Sequence, residues 1–185
     1  TKEFWDDLPY DTRLYFGDIY QASLNRYFVL PSTALFRRGK IPAGVQFIEH
    51  DPICGDWDFF ARLSRDNPVG FLDHDTTYNR SHQDTVRLTR TAWKRQLEFR
   101  VDMLERLYLQ DVEFYRRHRS ETDAVYAQRL QALCRQYILA GERGRAHAML
   151  DKYRAQGLGP DVRYAALRTA ASVPGLGKLL HAMRR

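Results

Sequence analysis

The sequence predicts a mostly helical protein of α/β to α+β class, with a small α/β region over residues 1–83 and an α-helical extension over 84–185. Three observations predict it. Two segments rich in β-branched and aromatic residues, "RYFVLPSTALFRR" and "VGFLDHDTTYNRS", flank a stretch of helical spacing. From about Gln83 the apolar residues recur at steps of mostly three or four through a highly charged background. Apolar residues make up 44% and aromatics 13%, enough surface to bury against chain entropy, which excludes a disordered chain.

In "YDTRLYFGDIYQASL", Leu14, Phe16, Ile19, Tyr20 and Leu24 lie close to helical spacing, with Asp11 or Thr12 suited to the N-cap, so a short helix is predicted. "RYFVLPSTALFRR" reads as a strand in which Pro31 makes a bulge or an edge. "RGKIPAG" is a loop. "GDWDFFARLSRD" places Trp57, Phe60, Ala61 and Leu63 on one helical arc, with Asp56 near the N-terminus and Asn67-Pro68 as the stop. "VGFLDHDTTYNRS" alternates loosely and reads as a second strand.

Val86, Trp93, Leu97, Val101, Leu104, Tyr108 and Val112 mark one long amphipathic helix, with Trp93 in its core face. Ser120 and Asp123 have capping-box spacing and open a further helix through Ile138, closed by Gly141. "ERGRAHAMLDKYRAQG" is its antiparallel partner, closed by Gly157. The pair has the texture of one tetratricopeptide-like hairpin, but a superhelical array needs about three copies. "PDVRYAALRTAASV" and "PGLGKLLHAMRR" add two short helices, the last one basic and amphipathic.

The net charge of +6 comes from 29 basic and 23 acidic residues that are interspersed, which favours a solvated surface over a nucleic-acid stripe; no nucleic-acid partner is predicted. Cys54 and Cys134 stand alone, so neither a structural zinc nor a disulfide framework is expected, and a reducing compartment fits. No apolar run approaches the roughly 18 to 20 residues that span a bilayer, and no secretory leader pattern opens the sequence. A cytoplasmic protein is expected. Position 1 is Thr1, as in a processed product or a portion of a longer chain.

Asp56 and Asp58, two apart on a helix, point about 200° from one another and cannot form a carboxylate dyad. A carboxylate at a helix N-terminus is stabilised as the anion, the form a general base needs, and the same position also suits a cap. Asp73 and Asp75 share one face of a strand and His74 the other, so they read as a polar strand end. Arg80 and His82 share a strand face, where they could clamp a diphosphate or complete a metal shell. Arg37 and Arg38 suit either an anion or solvent. His118 and His147 read as surface residues. No Gly-x-Ser-x-Gly, phosphate-loop glycine run or Cys/His pair at usable spacing is present, which excludes the corresponding hydrolase, triphosphatase and thiol motifs.

Read in order, "LPSTALFRRGKIPAGVQFIEHDPICGDWDFFARLSRDNPVGFLDHDTTYNRSH" resembles the acceptor-side half of family two glycosyltransferases with the GT-A fold. The matching residues are Ser32, Thr33, Arg37 and Arg38, then Phe47 to Glu49, then Gly55 to Asp58 with Arg62 and Leu63, and finally Tyr78, Arg80 and His82. The resemblance covers about the first 85 residues. It implies the C-terminal portion of an inverting glycosyltransferase of hexosyltransferase type, with Asp56 as the catalytic base and Trp57, Asp58, Arg37 and Arg80 on the substrates. It also implies His82 beside the donor diphosphate and its Mg²⁺ or Mn²⁺.

The substrates implied are a nucleotide-diphospho-sugar donor and a sugar or lipid-linked acceptor. Two residues depart from the family pattern: Gly55 stands where a glutamate is usual and Asn79 where an aromatic often precedes the arginine. The family's nucleotide-binding half, with its Asp-x-Asp metal motif, should precede this region, and nothing before Asp11 supplies it. The portion read here is therefore expected to be inactive by itself. The rival reading is a non-enzymatic helical protein-interaction module, with an apolar groove along Trp93 to Tyr108. Under either reading the long helix is a candidate homodimer contact. The basic tail "GKLLHAMRR" is a candidate for peripheral contact with the inner face of a membrane.

Overall fold

A computed structural model of the chain describes residues 13–27, 29–49, 54–73, 75, 77 and 93–176. It is mostly helical with one small sheet, and it divides into two compact units, Thr1–Val86 and Arg87–Arg185. No described helix is long and apolar enough to cross a membrane.

In the first unit the described residues begin with a strand, β1 (Arg13–Gly17), and a five-residue helix, α1 (Ile19–Ser23). This corrects the single helix expected across Leu14 to Leu24. Leu14 and Phe16 are two apart, which suits one face of a strand as well as an irregular helical stripe. Asp18 then restarts the chain as a helix, its carboxylate accepting the Tyr20 N–H at 2.8 Å. The expected caps Asp11 and Thr12 lie outside the described residues.

The described part of "RYFVLPSTALFRR" is likewise not a strand. It forms a 3₁₀ turn at Pro31–Thr33, closed by the Thr33 N–H and hydroxyl on the Leu30 carbonyl, and a second such turn at Arg38–Lys40. Proline's fixed φ and missing N–H suit the first residue of a helical turn, and its lack of a donor works against a ladder.

Helix α2 (Gly55–Ser64) forms where its apolar spacing predicts, burying Trp57, Phe59, Phe60 and Ala61. Its C-terminal end is closed by the Asn67 side-chain amide, which donates to the Leu63 carbonyl at 2.8 Å. Strand β2 (Val69–Asp73) forms over the first five residues of the expected strand, which Asp75 and Thr77 do not continue, and pairs antiparallel with β1, setting Tyr15 opposite Phe71 and Arg13 opposite Asp73. This pairing joins the two ends of the described segment and leaves α1 and α2 packed together between them.

In the second unit the long helix expected through Val112 is divided. Helix α3 (Trp93–Met103) runs into a π-helical stretch, Leu104–Leu109, and the chain turns at Gln110. Asp111 then caps α4 (Val112–Leu139), its carboxylate accepting the Phe114 N–H at 3.1 Å. Val112 is 78% exposed as the first residue of α4, so it does not belong to the apolar stripe of α3. The break expected at Ser120 falls instead at His118, whose φ of −119° and ψ of 27° leave the helical range while the helix continues on both sides.

Gly141 and Gly157, at φ of +76° and +74°, close α4 and α5 (Arg143–Ala155) where the sequence places them. Helix α6 (Val162–Ser172) is capped by Asp161, which accepts the Tyr164 N–H at 2.6 Å. The fully buried Ala146 and Ala171 mark close helix packing around Leu130, Leu133 and Leu150. Trp93, expected in the core, is 45% exposed, and the Arg100 guanidinium lies over its ring at 5.4 Å. His118 is half-buried on the Phe114 ring, 4.6 Å between centroids. The tail from residue 177 lies outside the described residues.

Candidate functional site

The candidate site is the first turn of α2 and the loop laid along that helix. Three contacts fix the loop. The Arg62 guanidinium donates to the Gln46 carbonyl at 2.7 Å, the Phe47 ring stacks on Phe59 at 4.1 Å with planes 12° apart, and the Ile48 carbonyl comes within 3.3 Å of where a side chain on Gly55 would begin. The loop therefore runs antiparallel to α2 and delivers Glu49 to the end of the helix that carries Asp56.

The three polar and aromatic residues of this turn divide their work. Asp56 is half-buried, and one carboxylate oxygen accepts the Trp57 N–H at 2.8 Å. Trp57 is only 4% exposed. Its indole N–H donates to the Ser23 carbonyl at 2.9 Å and its ring stacks on Tyr27 at 5.7 Å, so it ties α1 to α2. Asp58 is fully buried and paired with Arg62 at 2.5 Å. Trp57 and Asp58, which the resemblance sets on the acceptor substrate, are thus both turned into the interior. Of the two aspartates, Asp56 is the one with solvent access.

Arg37 and Arg38 are exposed at the second 3₁₀ turn. Asp73 and Asp75 are exposed at the end of β2. Arg80, His82 and His74 lie outside the described residues. Among the described residues no group of three histidines, cysteines, aspartates or glutamates is gathered where it could hold a metal ion, and His82 itself lies outside them.

Tyr27 is the neighbour that the sequence did not single out. Its hydroxyl is enclosed, and burial first and then the Asp56 carboxylate push its pKa well above the ordinary range for a phenol. No local pattern announces it, because the Tyr27 ring stacks on Trp57, thirty residues away in sequence. Arg62 did carry a signal, four residues after Asp58 on one helical face.

Chemically, the turn offers the half-buried Asp56 carboxylate in the first turn of α2. No protein-family model, curated protein or solved structure matches the chain.

Proposed function

We propose that residues 1–83 form the acceptor side of an inverting glycosyltransferase in which Asp56 is the general base. One observation carries the reading: of the two aspartates opening α2, Asp58 is buried on Arg62 while Asp56 stands half-exposed on the first turn. In the proposed step the Asp56 carboxylate takes the proton of an acceptor hydroxyl. That oxygen forms the new bond to the anomeric carbon, and the nucleoside diphosphate departs from the opposite face with the electron pair of the broken bond. The donor is a nucleotide-diphospho-sugar, held by a nucleotide-binding part of the enzyme, with the exposed Arg37 a candidate contact for its phosphates.

The family resemblance also implies Mg²⁺ or Mn²⁺ at the diphosphate. The described residues do not gather a site for it, and no step here is routed through a metal. The interaction-module reading draws less support. It calls for an open apolar groove along Trp93 to Tyr108, and Leu97, Val101, Leu104 and Tyr108 are buried.

The test is an intact-mass measurement on the protein from its natural source, followed by a sugar-transfer assay of that natural form with and without Asp56→Asn. Loss of transfer by roughly a hundredfold or more with donor binding retained supports the base assignment. Full activity of the asparagine variant, or a natural protein of this same size that binds no nucleotide sugar, removes it.

A further inference from the structure

The chain between the two 3₁₀ turns is held in place and shows apolar side chains to solvent. Ala34 and Arg37 have extended backbone, and neither helix nor turn intervenes, so Leu35 and Phe36 between them face opposite ways. Phe36 takes the inner side, tilted on Phe59 at 5.7 Å and edge-on to Phe60 at 6.4 Å. Leu35 takes the outer side and is fully exposed. The second turn is fastened as well: the Asn67 amide that closes α2 also reaches the Lys40 carbonyl at 3.4 Å. Phe47, stacked on Phe59, leaves about half its surface in solvent, as Phe36 does.

Among residues 29–49 the charged side chains are Arg37, Arg38, Lys40 and Glu49. The three cations follow directly on Leu35 and Phe36, and none of them has an ion-pair partner among the described residues. Glu49 is carried away to the other end of the loop, and Asp66, next to Asn67, is paired with Arg65 at 3.3 Å. An exposed leucine and half-exposed aromatic rings beside basic side chains suit a lipid interface. The apolar groups enter the boundary between headgroups and acyl chains, and the cations stay at the headgroup phosphates. A nucleic-acid backbone would answer the cations and leave Leu35 without a role.

We propose that this loop, from Leu35 to Phe47, is a contact site for an anionic lipid surface, with Leu35 inserted and Arg38 and Lys40 on the headgroup phosphates. It is a different surface from the basic tail, which lies outside the described residues. The proposal stands whether or not Asp56 is a general base.

The test uses this chain with vesicles of phosphatidylcholine, with or without phosphatidylglycerol. Leu35→Cys is labelled with an environment-sensitive dye; the native Cys54 and Cys134 are buried, which directs the dye to residue 35. Its emission should shift to the blue with the phosphatidylglycerol vesicles, less so in high salt, and stay in place with phosphatidylcholine alone. In co-sedimentation, Leu35→Ser and the double variant Arg38→Ser, Lys40→Ser should each weaken binding to the phosphatidylglycerol vesicles by roughly tenfold or more. Urea midpoints should not move, because these side chains are exposed. Arg37 is left unchanged as a candidate contact for donor phosphates.

A wild type that does not sediment, that binds neutral vesicles equally well, or whose binding both variants retain, as the basic tail alone would give, overturns the proposal. So does a wild type that retards double-stranded DNA in a gel while the dye at residue 35 ignores the vesicles.

Discussion

Arg62 and Asp58, one turn apart on α2, pair at 2.5 Å with the carboxylate fully buried, and the same guanidinium donates to the Gln46 carbonyl at 2.7 Å. A single cation thus neutralises an interior charge and fastens the loop that borders the candidate site. Removing one partner of a buried pair leaves the other charge uncompensated. Arg62→Leu should destabilise the first unit by about 3 to 5 kcal/mol. Asp58→Asn, which keeps the shape and a hydrogen-bond acceptor, should do less harm. Urea denaturation followed through tryptophan fluorescence measures both, and equal midpoints for Arg62→Leu and wild type would show the pair to be dispensable.

Gly55 is required by a close approach. A Cβ there would lie 3.3 Å from the Ile48 carbonyl oxygen, and the loop cannot easily retreat because Phe47 and Gln46 are held on Phe59 and Arg62. Alanine ordinarily favours a helix over glycine by about 1 kcal/mol. Here Gly55→Ala should fail to gain that and instead lower the melting temperature. The expected signature is recovery in the background of Arg62→Ala, where the loop is released; a simple gain in stability from Gly55→Ala alone would contradict the close approach.

Thr122 is fully buried and its hydroxyl has no hydrogen-bond partner among the described residues. A threonine inside a helix ordinarily bonds the carbonyl four residues back. That carbonyl belongs to His118, the residue whose dihedrals leave the helical range. Thr122→Val replaces the unsatisfied hydroxyl with a methyl of the same shape and should stabilise the second unit by about 1 kcal/mol. Chemical denaturation with an unchanged slope and a higher midpoint is the expected result.

The second unit should lose stability in alkali. Burial pushes the Cys134 thiol up from 9.0 to about 11. Burial and then the Glu98 carboxylate, which accepts the Tyr137 hydroxyl at 2.7 Å, push that phenol up from 10.0 to about 12. Tyr126, bonded to Glu105 at 2.6 Å, is raised further in the same direction for the same two reasons. The folded state therefore holds these protons more tightly than the unfolded chain. Their stabilising effect is complete below pH 9, and it declines as pH rises, through 9 to 11 for Cys134 and 10 to 12 for Tyr137. Melting temperatures across that range should fall steeply, and Tyr137→Phe should flatten the upper part of the curve; a flat profile in wild type would refute the assignment.

Elements whose signals are local were readable in advance. The apolar arc of α2 with Asp56 in its first turn, strand β2, and the glycines that end α4 and α5 all follow from spacing and backbone conformation within a few residues. The misreadings came where two local solutions compete. Leu14 and Phe16 fit either a strand or a helix, and the partner β2, more than fifty residues away, decided for the strand. Val112 matched the stripe of the preceding helix, but the Asp111 cap made it the start of the next.

The sequence by itself determined that the protein is mostly helical, where most of the helices stop, and that a carboxylate opens α2. Only the tertiary structure decided which of the two neighbouring aspartates keeps solvent access, that Trp57 serves as a tie to α1, and that Tyr27 stacks on Trp57. The physical reason is range. Helix periodicity, caps and glycine turns act over one or two turns of chain, whereas burial, ion pairing and ring stacking depend on groups the fold brings from afar: Ser23 and Tyr27 on one side of α2, Gln46 and Phe47 on another.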